Sequence, residues 1–167
     1  MYLNFSYKRK NITSDAQSRI GCVLKLISLL DRNDKIIIFG ERIEQADLLY
    51  KKMDALYPNQ AARYHSGLGA QARKLALERF QNGEIRILIS CRALDEGFDV
   101  PSANVGIVMS SASVNRQRTQ RLGRILRKYE GKEIASLYYL FVASSSEEQS
   151  YFPIKAQTAA VCELSYL

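Results

Sequence analysis

Short apolar runs rich in β-branched residues recur along this chain, and segments whose apolar residues repeat at helical spacing lie between them. The clearest runs are KIIIF at 35–39, IRILIS at 85–90 and VGIVM at 105–109. Runs of this length are typical of strands buried on both faces of a parallel sheet. Strands that alternate with helices are typical of βαβ units. The pattern therefore predicts an α/β fold, with a mainly parallel central sheet and helices on both faces.

The predicted elements cover most of the chain. Ser14 and Gln17 form a capping-box pattern at the start of the first helix, and Asn82 and Gly83 close the third. In chain order we predict helix 14–30, strand 35–39, helix 43–56, strand 61–64, a helix around 72–80, strand 85–90, strand 105–109, helix 114–126 and strand 134–142. Ligand-binding loops of such sheets follow the carboxyl ends of the strands. We therefore expect the functional site in the loops after residues 39, 64, 90 and 109.

The cysteine and histidine content argues against a metal site. The chain has three cysteines, Cys22, Cys91 and Cys162, and a single histidine, His65. No zinc-binding spacing can be built from them. We expect reduced thiols in an intracellular protein, cytoplasmic in a prokaryote or phage and nuclear in a eukaryote. No apolar run approaches the ~20 residues of a membrane span, and the first residues lack the order of a secretory signal, so no membrane partner is expected.

Basic residues are concentrated in one segment of a chain whose formal net charge is +7. Six of them fall within thirteen positions: Arg116, Arg118, Arg121, Arg124, Arg127 and Lys128. Like charges at helical spacing repel one another, so this density indicates a functional surface. Within QRLGRILR, at 120–127, Arg124 and Arg127 share one helix face and could clamp a polyphosphate through their planar forks. The alternative is a basic helix that contacts DNA or nothing.

A second motif, LDEGFDVP at 94–101, directly follows the apolar strand predicted at 85–90. Gly97 permits a tight turn, Asp99 can accept hydrogen bonds from a ribose hydroxyl, and Pro101 stiffens the exit. The alternative is an acidic turn without a ligand. The two motifs are more specific together than either is alone.

The residues from 35 to 142, about two thirds of the chain, resemble the C-terminal, second RecA-like lobe of superfamily 2 helicases. The motifs LDEGFDVP and QRLGRILR carry the resemblance, and the segment around them is similar to the XPB-like family of DNA repair translocases. The resemblance implies a RecA-like three-layer αβα lobe over residues 12–143. Residues 1–11 are then a linker or truncation edge, and residues 144–167 a tail of unknown role.

The resemblance also implies roles for the residues of the two motifs. Arg124 and Arg127 would be arginine fingers that reach ATP, and Gln120 would lie near the γ-phosphate. Arg121 would organise the interface between lobes. Gly97 and Asp99 would contact the ribose of the nucleotide, and Glu96 is a weaker candidate in the same loop.

Three further segments match motifs that contact the nucleic-acid backbone in this family. They are Gly40, Glu41 and Arg42 after the KIIIF strand; His65, Ser66 and Gly67 after the next strand; and Ser90 with Cys91. The family often has threonine near position 91. A thiol is a poor hydrogen-bond donor to a phosphate, so Ser90 or a backbone N–H would supply that contact. No carboxylate lies in the motif of His65, so we interpret this histidine as a backbone-contacting or packing residue rather than a general base.

The 167 residues contain no G-x-x-x-x-G-K-[ST] phosphate loop and no Asp-Glu pair placed to hold magnesium. ATP and Mg²⁺ would therefore be held mainly by a first RecA-like lobe, and this chain alone is expected to be inactive. The expected partners are that first lobe, DNA contacted without sequence specificity, and a repair nuclease or other repair proteins. The alternatives are a motor subunit of a restriction or phage-defence system, and a non-catalytic module that binds nucleic acid or protein. An RNA substrate is also open, because backbone contacts discriminate weakly between DNA and RNA.

Overall fold

The structure, a computed structural model, describes residues 18–91, 103–109 and 135–141. Within these ranges the chain forms three helices and five strands. In chain order they are α1 (Ser18–Leu29), β1 (Ile36–Gly40), α2 (Ile43–Leu56), β2 (Ala61–Tyr64), α3 (Ala70–Gln81), β3 (Ile87–Cys91), β4 (Val105–Val108) and β5 (Ser136–Tyr139).

The five strands form one sheet in the order β2-β3-β1-β4-β5, and every neighbouring pair is parallel. From β1 the chain crosses over β3 to reach β2, and from β2 it returns to β3. Connections between parallel strands of one sheet are right-handed in nearly all proteins. Because the connection through α2 and the connection through α3 run in opposite directions along the sheet, the two helices lie on opposite faces. The α/β class predicted from the sequence is confirmed.

Alternate side chains of β1 enter two separate cores. Ile36 and Ile38 pack with α1 and α2 on one face of the sheet. Ile37 and Phe39 pack with α3, including Phe80, on the other face. All five residues of β1 are buried. Residues 36–39 of the KIIIF run are therefore all apolar because both faces of the strand are covered, and the molecule has the three layers that the resemblance implied.

The helix boundaries agree with the sequence signals. The second helix is predicted at 43–56, and α2 has those bounds. The third helix ends at Gln81, and Gly83 follows with a φ of 77°. Glycine adopts this conformation without the steric cost that a side chain brings, so the closure by Asn82 and Gly83 is confirmed.

Only the strand at 61–64 has its predicted bounds; β1 is shifted by one residue, β4 ends one residue earlier, and two other strands differ more. We expected a strand at 85–90 and a loop from residue 91, but β3 begins at Ile87 and includes Cys91, which pairs with Gly40. The start differs because the backbone N–H of Ile85 donates to Arg79 O at the end of α3. The last strand, predicted at 134–142, is shorter in the structure, where β5 is Ser136–Tyr139. The predicted helix 114–126, the loop at 92–101 and the capping box of Ser14 and Gln17 lie outside the described residues.

A buried polar network joins the amino ends of β1 and β4. Asn104 Nδ2 donates to Asp34 Oδ1 at 2.6 Å, and Asn104 Oδ1 accepts from the Lys35 backbone N–H at 2.7 Å. The other carboxylate oxygen of Asp34 accepts from the Asp31 N–H at 2.9 Å. Asp34 and Asn104 are 4% and 3% exposed. A buried charge needs such partners, because isolated burial costs several kcal/mol.

A buried arginine joins α1 to the carboxyl ends of β4 and β5. Arg19 Nη1 donates to the backbone oxygen of Met109 at 2.7 Å and to that of Leu140 at 3.1 Å. Its side chain is 4% exposed. The guanidinium therefore satisfies two carbonyl groups at the edge of the sheet where the candidate site lies.

Candidate functional site

The three segments predicted to contact a nucleic-acid backbone meet at one edge of the sheet. Because β1, β2 and β3 are parallel, their carboxyl ends lie at the same edge. The register pairs Ser90 with both Phe39 and Tyr64, and it pairs Cys91 with Gly40. The segments 40–42, 65–67 and 90–91 are therefore adjacent, although up to fifty residues separate them in sequence.

The first segment leaves β1 through a closely covered glycine. A Cβ added to Gly40 would lie 3.2 Å from Met109 Cε and 3.9 Å from Ser90 O. Glu41 and Arg42 are half-buried, and each has an interaction partner. Arg42 has an extended backbone and precedes the first turn of α2. This segment thus places one acidic and one basic side chain at the edge.

The second segment contains a buried histidine held by a carboxylate from another element. His65 is 3% exposed, and its Nε2 lies 3.1 Å from Asp47 Oδ1 on α2. The motif around His65 contains no carboxylate, so this partner could not be predicted from the motif. Only the packing of α2 against β2 brings Asp47 within reach.

The same carboxylate binds an arginine on β2. Arg63 Nη1 donates to Asp47 Oδ1 at 2.6 Å, and its guanidinium lies 4.7 Å from the centre of the Tyr50 ring. Burial raises the pKa of Asp47, but the hydrogen bonds from Arg63 and His65 and the charge of Arg63 outweigh it, so this pKa lies below the usual aspartate range. Asp47 is therefore ionised at neutral pH and acts only as an acceptor.

The His65 ring lies under the turn that follows it. A Cβ on Gly67 would be 3.1 Å from His65 Nδ1, 3.3 Å from its Cε1 and 3.5 Å from Ile43 Cδ1. The Leu68 N–H closes the turn by donating to His65 O at 3.0 Å. Ser66 and Gly67 are exposed. The ring and the isoleucine thus form a floor, and the turn presents Ser66 and Gly67 to solvent.

The third segment is buried. Ser90 is fully buried, and its Oγ has no hydrogen-bond partner among the described residues. Cys91 is 5% exposed and belongs to the core formed with α1 and α2, and within the described residues neither it nor Cys22 is in a disulfide. Cys91 therefore packs as a small apolar side chain, which is usual for an unreactive cysteine.

The predicted nucleotide-contacting residues cannot be placed against this edge. They lie outside the described residues: Glu96, Gly97, Asp99, Gln120, Arg121, Arg124 and Arg127. In the described ranges no three His, Cys, Asp or Glu residues are grouped to hold a metal ion. No helix in those ranges is long and apolar enough to cross a membrane.

Comparison with known families identifies the fold. Residues 18–129 match the model of the Helicase conserved C-terminal domain. The chain belongs to this family. Its lobe also resembles the C-terminal domain of the DEAD-box protein Dbp5, with a TM-score of 0.68 and 16% identity over 86% of this chain and 78% of that one. The helicase domain of Pyrococcus furiosus Hef gives a TM-score of 0.61 at 21% identity, covering 81% of this chain and 28% of the other. The RecA-like architecture implied by the motifs is confirmed.

The relatives in sequence include XPB proteins, as the motifs indicated. The DNA 3'-5' translocase XPB2 of Sulfurisphaera tokodaii is 36% identical over 118 residues, which are 71% of this chain and 25% of that protein. The transcription and DNA repair factor IIH helicase/translocase subunit XPB of Danio rerio is 33% identical over 126 residues, covering 72% and 15%. The chain thus spans a quarter or less of the length of these two relatives.

Proposed function

We propose that this chain is the second motor lobe of an ATP-dependent DNA helicase or translocase of the XPB-like repair type. The observation that carries the proposal is the meeting of the segments 40–42, 65–67 and 90–91 at one edge of the parallel sheet. Family membership and the XPB names of the relatives support the choice of substrate and process. A first RecA-like lobe would hold most of the ATP and Mg²⁺.

In this proposal the exposed turn of Ser66 and Gly67 grips the nucleic-acid backbone, together with Arg42 at the same edge of the sheet. A serine hydroxyl, turn amides and a guanidinium are all donors that suit phosphate oxygens. His65, Ser90 and Cys91 are buried, so they shape the edge and contribute through their backbone rather than through their side chains. Contacts of this kind recognise phosphates, and we expect little sequence specificity.

The nucleotide-facing half is assigned from the motifs. Arg124 and Arg127 are the proposed arginine fingers, which offset negative charge on the γ-phosphoryl oxygens during transfer. Gln120 is proposed to lie beside them, and Arg121 to organise the interface with the first lobe.

The ribose contact is proposed for Gly97 and Asp99, with Glu96 in the same loop. These residues follow β3 directly in sequence, and in this proposal they connect the nucleotide side with the backbone-gripping edge. Closure of the two lobes would bring the arginines to the nucleotide, and opening would move the gripping turn along one strand.

The test is DNA-stimulated ATP turnover of the full-length protein, wild type against Arg127→Ala. By the scale of arginine fingers we expect turnover to fall about 10³-fold or more, with nucleotide binding largely kept. The control is Arg32→Ala, which removes the same charge from an exposed turn before β1, at the opposite edge of the sheet. Turnover unchanged by Arg127→Ala would overturn the motor assignment and favour a non-catalytic binding module.

A further inference from the structure

Two parts of the structure, α2 and the turn at Gly67, meet at the His65 ring. Its Nε2 faces Asp47 on α2 at 3.1 Å, and its Nδ1 and Cε1 lie under Gly67. The ring is 3% exposed, and Nδ1 has no hydrogen-bond partner among the described residues. Only the contact with Asp47 therefore holds the ring through a hydrogen bond within the part of the chain that the structure describes.

The chemistry of Asp47 fixes how the ring is turned. An ionised carboxylate offers only acceptors, so the ring nitrogen that faces it must carry a proton. A ring flipped by half a turn would replace Nε2 with a carbon and lose the bond. Arg63 donates to the same Oδ1 and packs on Tyr50, so the accepting oxygen is itself held in place.

The position of the ring explains why residue 67 is a glycine. Gly67 does not have a positive φ, so its backbone would accept any residue. A Cβ there would meet Nδ1 at 3.1 Å and Cε1 at 3.3 Å, closer than ordinary contact. The turn therefore lies directly on the ring, and movement of the ring would move the turn.

We propose that Asp47 is a positioning residue, which fixes the His65 ring and through it the Ser66–Gly67 turn that grips the nucleic-acid backbone. The inference rests on the proposed function for its last step only. The link from Asp47 to the ring and the turn is independent of what the turn binds.

The first measurement uses the fact that His65 is the only histidine of the chain. In ¹⁵N NMR spectra the wild-type chain should give one ring N–H signal, at Nε2, protected from exchange with water. Asp47→Ala should abolish that protection and shift the Ser66 and Gly67 amide signals. Asp47→Asn keeps an oxygen for Nε2–H and should restore both. Asp54→Ala, which removes the same charge from α2 about two helical turns beyond Asp47, should change neither.

The second measurement is binding of a fluorescent oligothymidylate by the same variants at low salt, where phosphate contacts are strongest. We expect Asp47→Ala to weaken binding about fivefold, the equivalent of one net hydrogen bond, while Asp47→Asn and Asp54→Ala stay near wild type. Thermal unfolding checks that each variant is folded.

The outcomes separate the two proposals. An unprotected wild-type ring N–H, or amide signals of Ser66 and Gly67 that ignore Asp47→Ala, would overturn the positioning role whatever the chain binds. Equal binding losses for Asp47→Ala and Asp54→Ala would also overturn it, since the loss would then not depend on the contact with His65. A third outcome is that the expected NMR changes occur but no variant binds the oligonucleotide. That outcome would retain the link from Asp47 to the turn and refute the grip proposed for the turn.

Discussion

Replacing Asn104 with alanine should destabilise the lobe more than its single amide would suggest. The change removes the donor to Asp34 at 2.6 Å and the acceptor of the Lys35 N–H at 2.7 Å. A hydrogen bond to a charged group contributes about 1.5–3 kcal/mol, and a neutral one about 0.5–1.5 kcal/mol. Asp34 keeps the Asp31 N–H, so the loss is partial. We expect the free energy of unfolding to fall by about 2–4 kcal/mol, a large share of the stability of a small domain.

Urea unfolding of the chain, followed by circular dichroism, measures this change through the transition midpoint at an unchanged slope. The matched control is Asn33→Ala. Asn33 is exposed, and the bond it makes to Asp31 Oδ1 uses its backbone N–H. We expect the control to change the free energy of unfolding by less than about 0.5 kcal/mol.

A double-mutant cycle tests the reason for the loss. If Asn104 stabilises the lobe because it is the partner of a buried charge, the loss of unfolding free energy caused by Asn104→Ala should be about 1–3 kcal/mol smaller in an Asp34→Ala background. A cost of Asn104→Ala no larger than that of Asn33→Ala, or costs of the two buried changes that simply add, would refute the reasoning.

Three other predictions follow from packing and charge. Gly67→Ala should cost about 1–3 kcal/mol in urea unfolding by pressing on the His65 ring, and a His65→Ala background should reduce that cost; equal costs in both backgrounds would contradict the close contact. The pKa of Asp47 is lowered on folding, so its contribution to stability is present above the ordinary aspartate value of about 4 and is lost as pH falls through the folded value. Asp47→Asn should therefore destabilise at pH 7 by less than about 1 kcal/mol, because the group is well exposed, and the gap to wild type should close in acid. Ile38→Ala, at a fully buried position of β1, should cost about 2–5 kcal/mol, whereas Leu56→Ala, at a position 60% exposed, should cost far less by the same unfolding assay.

The parts of the fold that were predictable are those with a local cause. The β1 run is apolar because both faces of that strand are covered, and the apolar spacing of α2 marks the face that packs on the sheet. The turn at Gly83 needs a positive φ that glycine adopts freely. Each of these signals is complete within a dozen residues, so the sequence alone is enough to interpret it.

The contacts that were missed depend on pairs of residues distant in sequence. Cys91 extends β3 because Gly40 lies beside it, and no property of Cys91 itself indicates this. Asp47 reaches His65 only because α2 packs beside the edge strand β2. The motif at 65–67 indicated where the candidate site lies, but the residue that orients its histidine comes from an unremarkable stretch of helix.

The bonds of Arg19 make α1 inseparable from the sheet edge that it helps to close. The donor is on the first described helix, and its two acceptors, the carbonyl groups of Met109 and Leu140, come much later in the chain. Because both acceptors are backbone carbonyl groups, any lobe with these strands offers them, whereas the donor requires an arginine at position 19. A chimaera whose leading helix lacks this arginine should therefore leave the two carbonyl groups without their donor and be less stable than a chimaera that keeps it.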